Sequence, residues 1–124
     1  MNFDLSEEQQ LLKDSVDRFV SDNYDLDTRQ NLSKNEAGFS DTYWQTMAEL
    51  GWLGVTVPEA HGGFGGNQAD TMVLMEAFGK GLVLEPFFAS AVLGTRAIVS
   101  GGSEQLQSKL LPELLNGASR LSLA

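Results

Sequence analysis

Residues 40–58, SDTYWQTMAELGWLGVTVP, decide the fold. Ser40 carries a side-chain oxygen suited to capping a helix, and Asp41 falls in the first turn, where the helix dipole favours negative charge. Tyr43, Trp44, Met47 and Leu50 recur at helical spacing and form the expected buried side. Gly51 is placed to stop the helix, because glycine takes a left-handed backbone without steric cost. Leu53-Gly54-Val55-Thr56-Val57 is a short apolar run, expected to extend briefly like a strand, and Pro58 ends it.

The same order of cap, apolar stripe and stop recurs in both directions. Upstream, Ser6 and Gln9 form a capping box with Glu7 and Glu8 in the first turn. Leu12, Val16, Phe19 and Val20 make one apolar stripe opposite Lys13, Asp14, Asp17 and Arg18, which predicts an amphipathic helix over about 6–23. The polar stretch 24–39 predicts only a short helical turn around Asp27–Leu32. Downstream, a helix over about 67–80 is expected to turn Ala69, Met72, Val73, Met75 and Phe78 inward, with Gly79 and Gly81 at its end. Pro86 suits the first turn of a fourth helix, since it lacks a donor that would be unpaired there. That helix runs to about Ser100 and stops at Gly101-Gly102. Ser103 caps a fifth, with Leu106, Leu110, Leu111, Leu114 and Leu115 apolar, and Pro112 is expected to break or kink it near Leu111. Residues 120–124 are expected to begin a strand. The fold class is therefore all-α, an orthogonal or up-down bundle of about five helices with one core.

Composition sets the outer limits. The chain has 124 residues, 42% hydrophobic and 20% charged, the balance of an ordinary globular domain. Seventeen acidic residues against eight basic ones give a net charge of −9, which argues against a nucleic-acid partner and against charge-driven binding to an anionic membrane. Cysteine is absent and His61 is the single histidine, so disulfides, thiolate chemistry and multi-histidine metal sites are excluded. Residues 1–20 carry acids throughout rather than a basic start and a continuous apolar run, and Leu82–Val99 holds Glu85, Pro86 and Arg96. Neither a secretory leader nor a membrane span is expected, and the cytoplasm is the expected compartment.

Candidate chemistry is sparse. The loop His61-Gly62-Gly63-Phe64-Gly65-Gly66 invites a phosphate-binding reading. A dinucleotide fingerprint starting at Gly63 would need a glycine where Gln68 stands, and no Lys-Ser or Lys-Thr follows for a phosphate loop. A tight turn with positive φ angles is the simpler reading. His61 beside Glu59 has no nucleophile near it in sequence. The acid pairs Glu7/Glu8 and Asp14/Asp17 belong to a solvated helix face or its first turn. Glu85 stands almost alone in an apolar stretch, so its carboxylate must reach solvent, accept N–H groups at a helix start, or pair with a cation. Phe87, Phe88, Val92 and Leu93 can be plain core or the lining of an apolar cavity. No catalytic residue and no metal ligand is assigned.

Four segments, in order, resemble the N-terminal helical domain of the acyl-CoA dehydrogenase family. They are Leu5-Ser6-Glu7-Glu8-Gln9; Glu49-Leu50-Gly51-Trp52-Leu53-Gly54-Val55-Thr56-Val57-Pro58-Glu59 followed by Gly62-Gly63-Phe64-Gly65; Val73-Leu74-Met75-Glu76-Ala77-Phe78-Gly79-Lys80; and residues 101–114, GGSEQLQSKLLPEL. The resemblance implies a helical domain (residues 1–119) leading through residues 120–124 toward an FAD-binding β domain beyond this chain. It implies an oxidoreductase that desaturates an acyl-CoA thioester between its α and β carbons, with a carboxylate base far downstream. FAD is then expected in the full-length protein and not on these 124 residues alone, which are expected to be inactive. Leu123 falls at the edge of the flavin-contacting stretch. On the fourth helix, Glu85, Phe88, Ala89, Ser90 and Leu93 match positions that wall the acyl pocket. The small Ala89 leaves room for a longer or bulkier acyl group. The run Val83–Phe88 with Ala91-Val92-Leu93 looks like the branch that handles unusual acyl groups, including steroid side chains, and the resemblance implies a place in fatty acid or steroid side-chain catabolism. The implied partners are the acyl-CoA, an electron-transfer-flavoprotein-type acceptor, and other subunits in a homo- or hetero-oligomer. A second reading, from the absence of catalytic groups, is a non-catalytic helical module that binds or assembles with a flavin-bearing partner. His61 stands where many relatives carry Tyr.

Overall fold

A computed structural model describes residues 2–124. Among them every regular element is helical, in agreement with the all-α fold class expected from the sequence. The α-helices are α1 (Glu7–Asn23), α2 (Leu26–Ser33), α3 (Asp41–Glu49), α4 (Gln68–Gly81), α5 (Thr95–Gly101) and α6 (Glu104–Leu115). Two 3-10 turns, Trp52–Gly54 and Glu59–His61, follow α3, and a π-helical segment, Phe88–Gly94, leads directly into α5. The chain forms two compact units: residues up to Phe39 with Gln68–Leu84, and Ser40–Asn67 with Glu85–Ala124.

In the first unit α1 packs on α4. Val16 and Phe19 of α1 are buried, as is Tyr24 at its C-terminal end, and α4 buries Val73, Leu74, Ala77 and Phe78. The inward face of α4 is thus shifted from the expected one: Met72 is exposed and Leu74 is fully buried. The predicted capping box is present, with Ser6 Oγ accepting from Gln9 N and Gln9 Oε1 accepting from Ser6 N. Lys13 and Asp17 pair one turn apart, which holds the Lys13 ammonium above its ordinary range. The expected turn at 27–32 is a true helix, α2, because Asp25 caps it through Thr28 N at 2.7 Å. That bond, with one from the Thr28 side chain, holds the Asp25 carboxyl below the usual carboxylate range. The α4 stop also differs from expectation. Gly79 and Gly81 remain inside the helix, and Leu82 takes the left-handed position with φ +52°. Val83 N bonds back to Phe78 O at 3.0 Å, closing a Schellman turn. Arg29 Nε donates to Leu82 O at 2.7 Å and steadies it.

In the second unit Ser40 caps α3 through Tyr43 N at 3.1 Å, and Trp44 and Met47 turn inward. Leu50, expected on that face, is exposed. Gly51 has φ +80°, and a Cβ there would lie 2.0 Å from the Phe64 ring, so both its conformation and its neighbour exclude a side chain. In place of the strand expected at 53–57 stand the 3-10 turn Trp52–Gly54 and a further turn up to Val57. Trp52 and Leu53 are both buried, whereas a strand would send consecutive side chains to opposite faces. Pro112 does not break α6, which continues to Leu115. An interior proline costs about 3 kcal/mol. Buried Leu111 and Leu114 flank it and pack with Val57, each contributing roughly 1.5–3 kcal/mol, enough to hold the helix together. No strand forms at 120–124 among the described residues.

Leucine at a left-handed position carries about 1–2 kcal/mol of steric cost, and glycine would return roughly half of that gain through its freer unfolded chain. Leu82→Gly is therefore expected to stabilise the protein by roughly 0.5–1 kcal/mol in urea unfolding. A loss of stability would show that the Leu82 side chain makes compensating contacts.

Candidate functional site

Pro86 stands at the start of the helix expected over about 86–100, but that helix does not begin as a regular α-helix. Ser90 N bonds to Pro86 O at 3.0 Å, a normal turn, and Thr95 N then reaches back five residues to Ser90 O. The turn is widened over Phe88–Gly94. Such segments are rare and concentrate at functional sites. The widening divides the side chains by size. Ser90, Ala91 and Gly94 are buried, while Phe88 is 54% exposed and Leu93 38% exposed. Ala89 and Val92 are half-buried.

The candidate residues therefore fall into two groups. Phe88, Ala89 and Leu93 lie at least partly open, two of them large and apolar. Glu85 and Ser90 are 5% and 2% exposed and have partners within the unit. The Glu85 carboxylate accepts from Ser40 N, the N-cap of α3, at 2.9 Å. Of the three outcomes open to a lone carboxylate, it takes a helix start, although one 45 residues earlier in the chain. Ser90 Oγ accepts from Leu121 N at 3.1 Å. Leu123, two residues further on, is 61% exposed.

The glycine loop is a packing device. Gly62 N bonds to Glu59 O, Gly63 N to Pro58 O, Phe64 N to Gly54 O, Gly65 N to Val57 O and Gly66 N to Val55 O, all between 2.8 and 3.2 Å. The loop's own N–H groups are already used, so the loop does not offer them to a cofactor diphosphate. His61 ends the second 3-10 turn and is half-buried. A shallow recess of about 410 Å³ along α3 is lined by Asp41, Thr42, Gln45, Thr46 and Glu49. Its two carboxylates suit it poorly to an acyl chain. No cluster of three metal-ligating side chains occurs among the described residues, and no described helix is long and apolar enough to cross a membrane.

A capped α3, a glycine-packed loop and a helix beginning at a proline, with no strand among the described residues, define an all-helical domain. The chain belongs to the acyl-CoA dehydrogenase family: the model of its N-terminal domain, "Acyl-CoA dehydrogenase, N-terminal domain", matches residues 6–118. The acyl-CoA dehydrogenase IpdE2 of Mycolicibacterium smegmatis is 30% identical over 115 residues, covering 92% of this chain and 35% of that protein. The mitochondrial isovaleryl-CoA dehydrogenase of Bos taurus is also 30% identical over 115 residues, covering 91% of this chain and 27% of its own length. Among solved structures, the ChsE4-ChsE5 complex from Mycobacterium tuberculosis superposes with a TM-score of 0.90 at 28% identity, covering 100% of this chain and 34% of that one. An acyl-CoA dehydrogenase complexed with FAD from Bacillus anthracis gives 0.85 at 27% identity, covering 95% of this chain and 21% of that one. The chain spans about a third or less of the length of the relatives it matches.

A hydrogen bond to an ionised carboxylate contributes about 1.5–3 kcal/mol. Glu85→Ala is expected to lower stability by about 2–3 kcal/mol in urea unfolding. Glu85→Gln keeps an acceptor for Ser40 N and should lose well under half of that. Equal losses for both would mean that charge, rather than acceptance of that bond, is what matters.

Proposed function

We propose that this chain is the N-terminal helical part of an FAD-dependent acyl-CoA dehydrogenase, in which Phe88, Ala89 and Leu93 form one wall of the acyl pocket. The observation that carries this reading is the π-helical segment, which turns two large apolar side chains outward on a helix whose inner side is fixed. Exposed apolar surface of that kind costs free energy unless something apolar covers it, and an alkyl chain is of matching chemistry. Glu85 and Ser90 support the wall from behind by tying it to α3 and to Leu121. The family membership and the relatives that act on acyl-CoA thioesters support the substrate class.

FAD, when bound, supplies the hydride acceptor for α,β-desaturation. Among the described residues the glycine loop uses its own N–H groups and does not serve as a cradle for it, while Leu123 is exposed and offers its side chain and backbone groups. In this proposal Leu123 lies at the edge of the flavin-contacting stretch, and the base that removes the α proton lies outside residues 1–124, as the family resemblance implies. The contribution of the chain is binding and exclusion of water: Phe88 and Leu93 cover alkyl carbons, and the small Ala89 sets the depth available to them. Electrons would pass on to an electron-transfer-flavoprotein-type acceptor. The structure of a ChsE4-ChsE5 complex among the similar chains supports assembly with further subunits.

The test uses protein made from its complete coding sequence. Filling the space beside Ala89 with a ring, Ala89→Phe, is expected to lower kcat/KM for long or branched acyl-CoA about 10- to 200-fold, while short-chain substrates are spared. An equal fall for all chain lengths would remove Ala89 from the pocket. A protein without flavin or acyl-CoA oxidation that co-purifies with a flavin-bearing partner would favour the non-catalytic assembly reading.

A further inference from the structure

The π-helical segment has an inner side as well as an outer one, and both of its closest features there meet the same residue. Ser90 Oγ accepts the Leu121 backbone N–H at 3.1 Å. One widened turn later, a Cβ on Gly94 would stand 2.6 Å from Leu121 Cβ and 3.4 Å from Leu121 O. Separations under about 3 Å are well inside the contact distance of two carbon atoms, so residue 94 must be glycine for Leu121 to lie where it does. One residue thus supplies an acceptor and the other supplies room. Leu121 also packs beside Val57, Leu111 and Leu114. Its neighbour Arg120 pairs with Asp41 at 3.5 Å, although that exposed pair contributes little.

A regular α-helix would carry one residue fewer through this stretch and would rotate the residues after it by about 100°. Ser90 and Gly94 then could not both face Leu121 while Phe88 and Leu93 face outward. We propose that Ser90 and Gly94 are positioning residues: they form a seat for Leu121 that fixes the segment 120–124 in register with the apolar face bearing Phe88 and Leu93. Two extended residues span at most about 7 Å, so a fixed Leu121 confines Leu123 to a small volume near that helix. The seat is a property of these residues alone. Its consequence, that a pocket wall and the path of the chain toward the cofactor move as one body, rests on the function proposed above.

Amide hydrogen exchange on the 124-residue chain, followed by NMR, tests the seat without substrate or cofactor. The Leu121 amide is expected to be protected, in contrast to that of Leu123. Ser90→Ala should speed exchange at Leu121 about tenfold or more while the Leu111 and Leu114 amides keep their rates. Gly94→Ala should do the same and also shift the Ser122 and Leu123 amide signals. Because both substitutions act through one residue, the double variant should exchange at Leu121 no faster than the more severe single one. A uniform rise at Leu111, Leu114 and Leu121 in Ser90→Ala would show a merely structural role and overturn the proposal. So would an unprotected Leu121 in the parent chain, or strictly additive effects. If Gly94→Ala does not fold, Ser90→Ala alone decides between these outcomes. A positive result here alongside a failed Ala89→Phe experiment would retain the seat and discard the acyl pocket.

Discussion

The Glu85 carboxylate is the constraint on which the second unit depends. An ion removed from water carries a penalty of several kcal/mol unless donors meet it. Here the Ser40 backbone N–H does so. Ser40 and Glu85 open the two chain segments of that unit, so their bond holds both entry points together. It also sets where Pro86 begins its helix relative to α3. Everything that distinguishes the candidate site, from the widened turn to the outward Phe88, follows within a few residues.

The widened turn then does what a regular helix cannot do with the same sequence. Ser90 and Gly94 are packed inward against Leu121, and the large apolar Phe88 and Leu93 are left facing out. The rest of the unit provides rigidity. The glycine loop bonds its own N–H groups to the turn around Val57, and Val57 joins Leu111 and Leu114 in the buried cluster. The loop is the tight turn that the simpler reading of its glycines expects, bonded to the turn that carries core residue Val57.

Much of this was legible in the sequence, and the failures share a cause. Caps and stops are local chemistry, so Ser6, Ser40, Ser103 and Gly51 were read at their observed roles. What depends on distant partners was not legible. Pro112 stays helical because buried leucines on either side outweigh its cost, and Trp52 and Leu53 turn together because both must be buried. On α4 Val73 and Phe78 lie inward as expected, but Leu74 and Ala77 join them while Met72 is exposed, a choice made by the packing on α1. Glu85 was singled out from its isolation, but its partner lies 45 residues away. The π-helical turn had no expected signature, although Gly94 within an apolar helix was a signal of close approach. Ser90 was marked as a pocket residue from family resemblance, and its partner Leu121 is visible only in three dimensions.

The central claim is that Phe88, Ala89 and Leu93 present an apolar wall to an acyl chain. The most direct measurement is a crystal structure of the protein made from its complete coding sequence, with a long-chain acyl-CoA bound. The account predicts alkyl carbons in van der Waals contact, about 3.5–4.0 Å, with Phe88, Ala89 and Leu93, and Leu121 still seated between Ser90 and Gly94. An acyl chain bound elsewhere, with that face covered by protein, would contradict it.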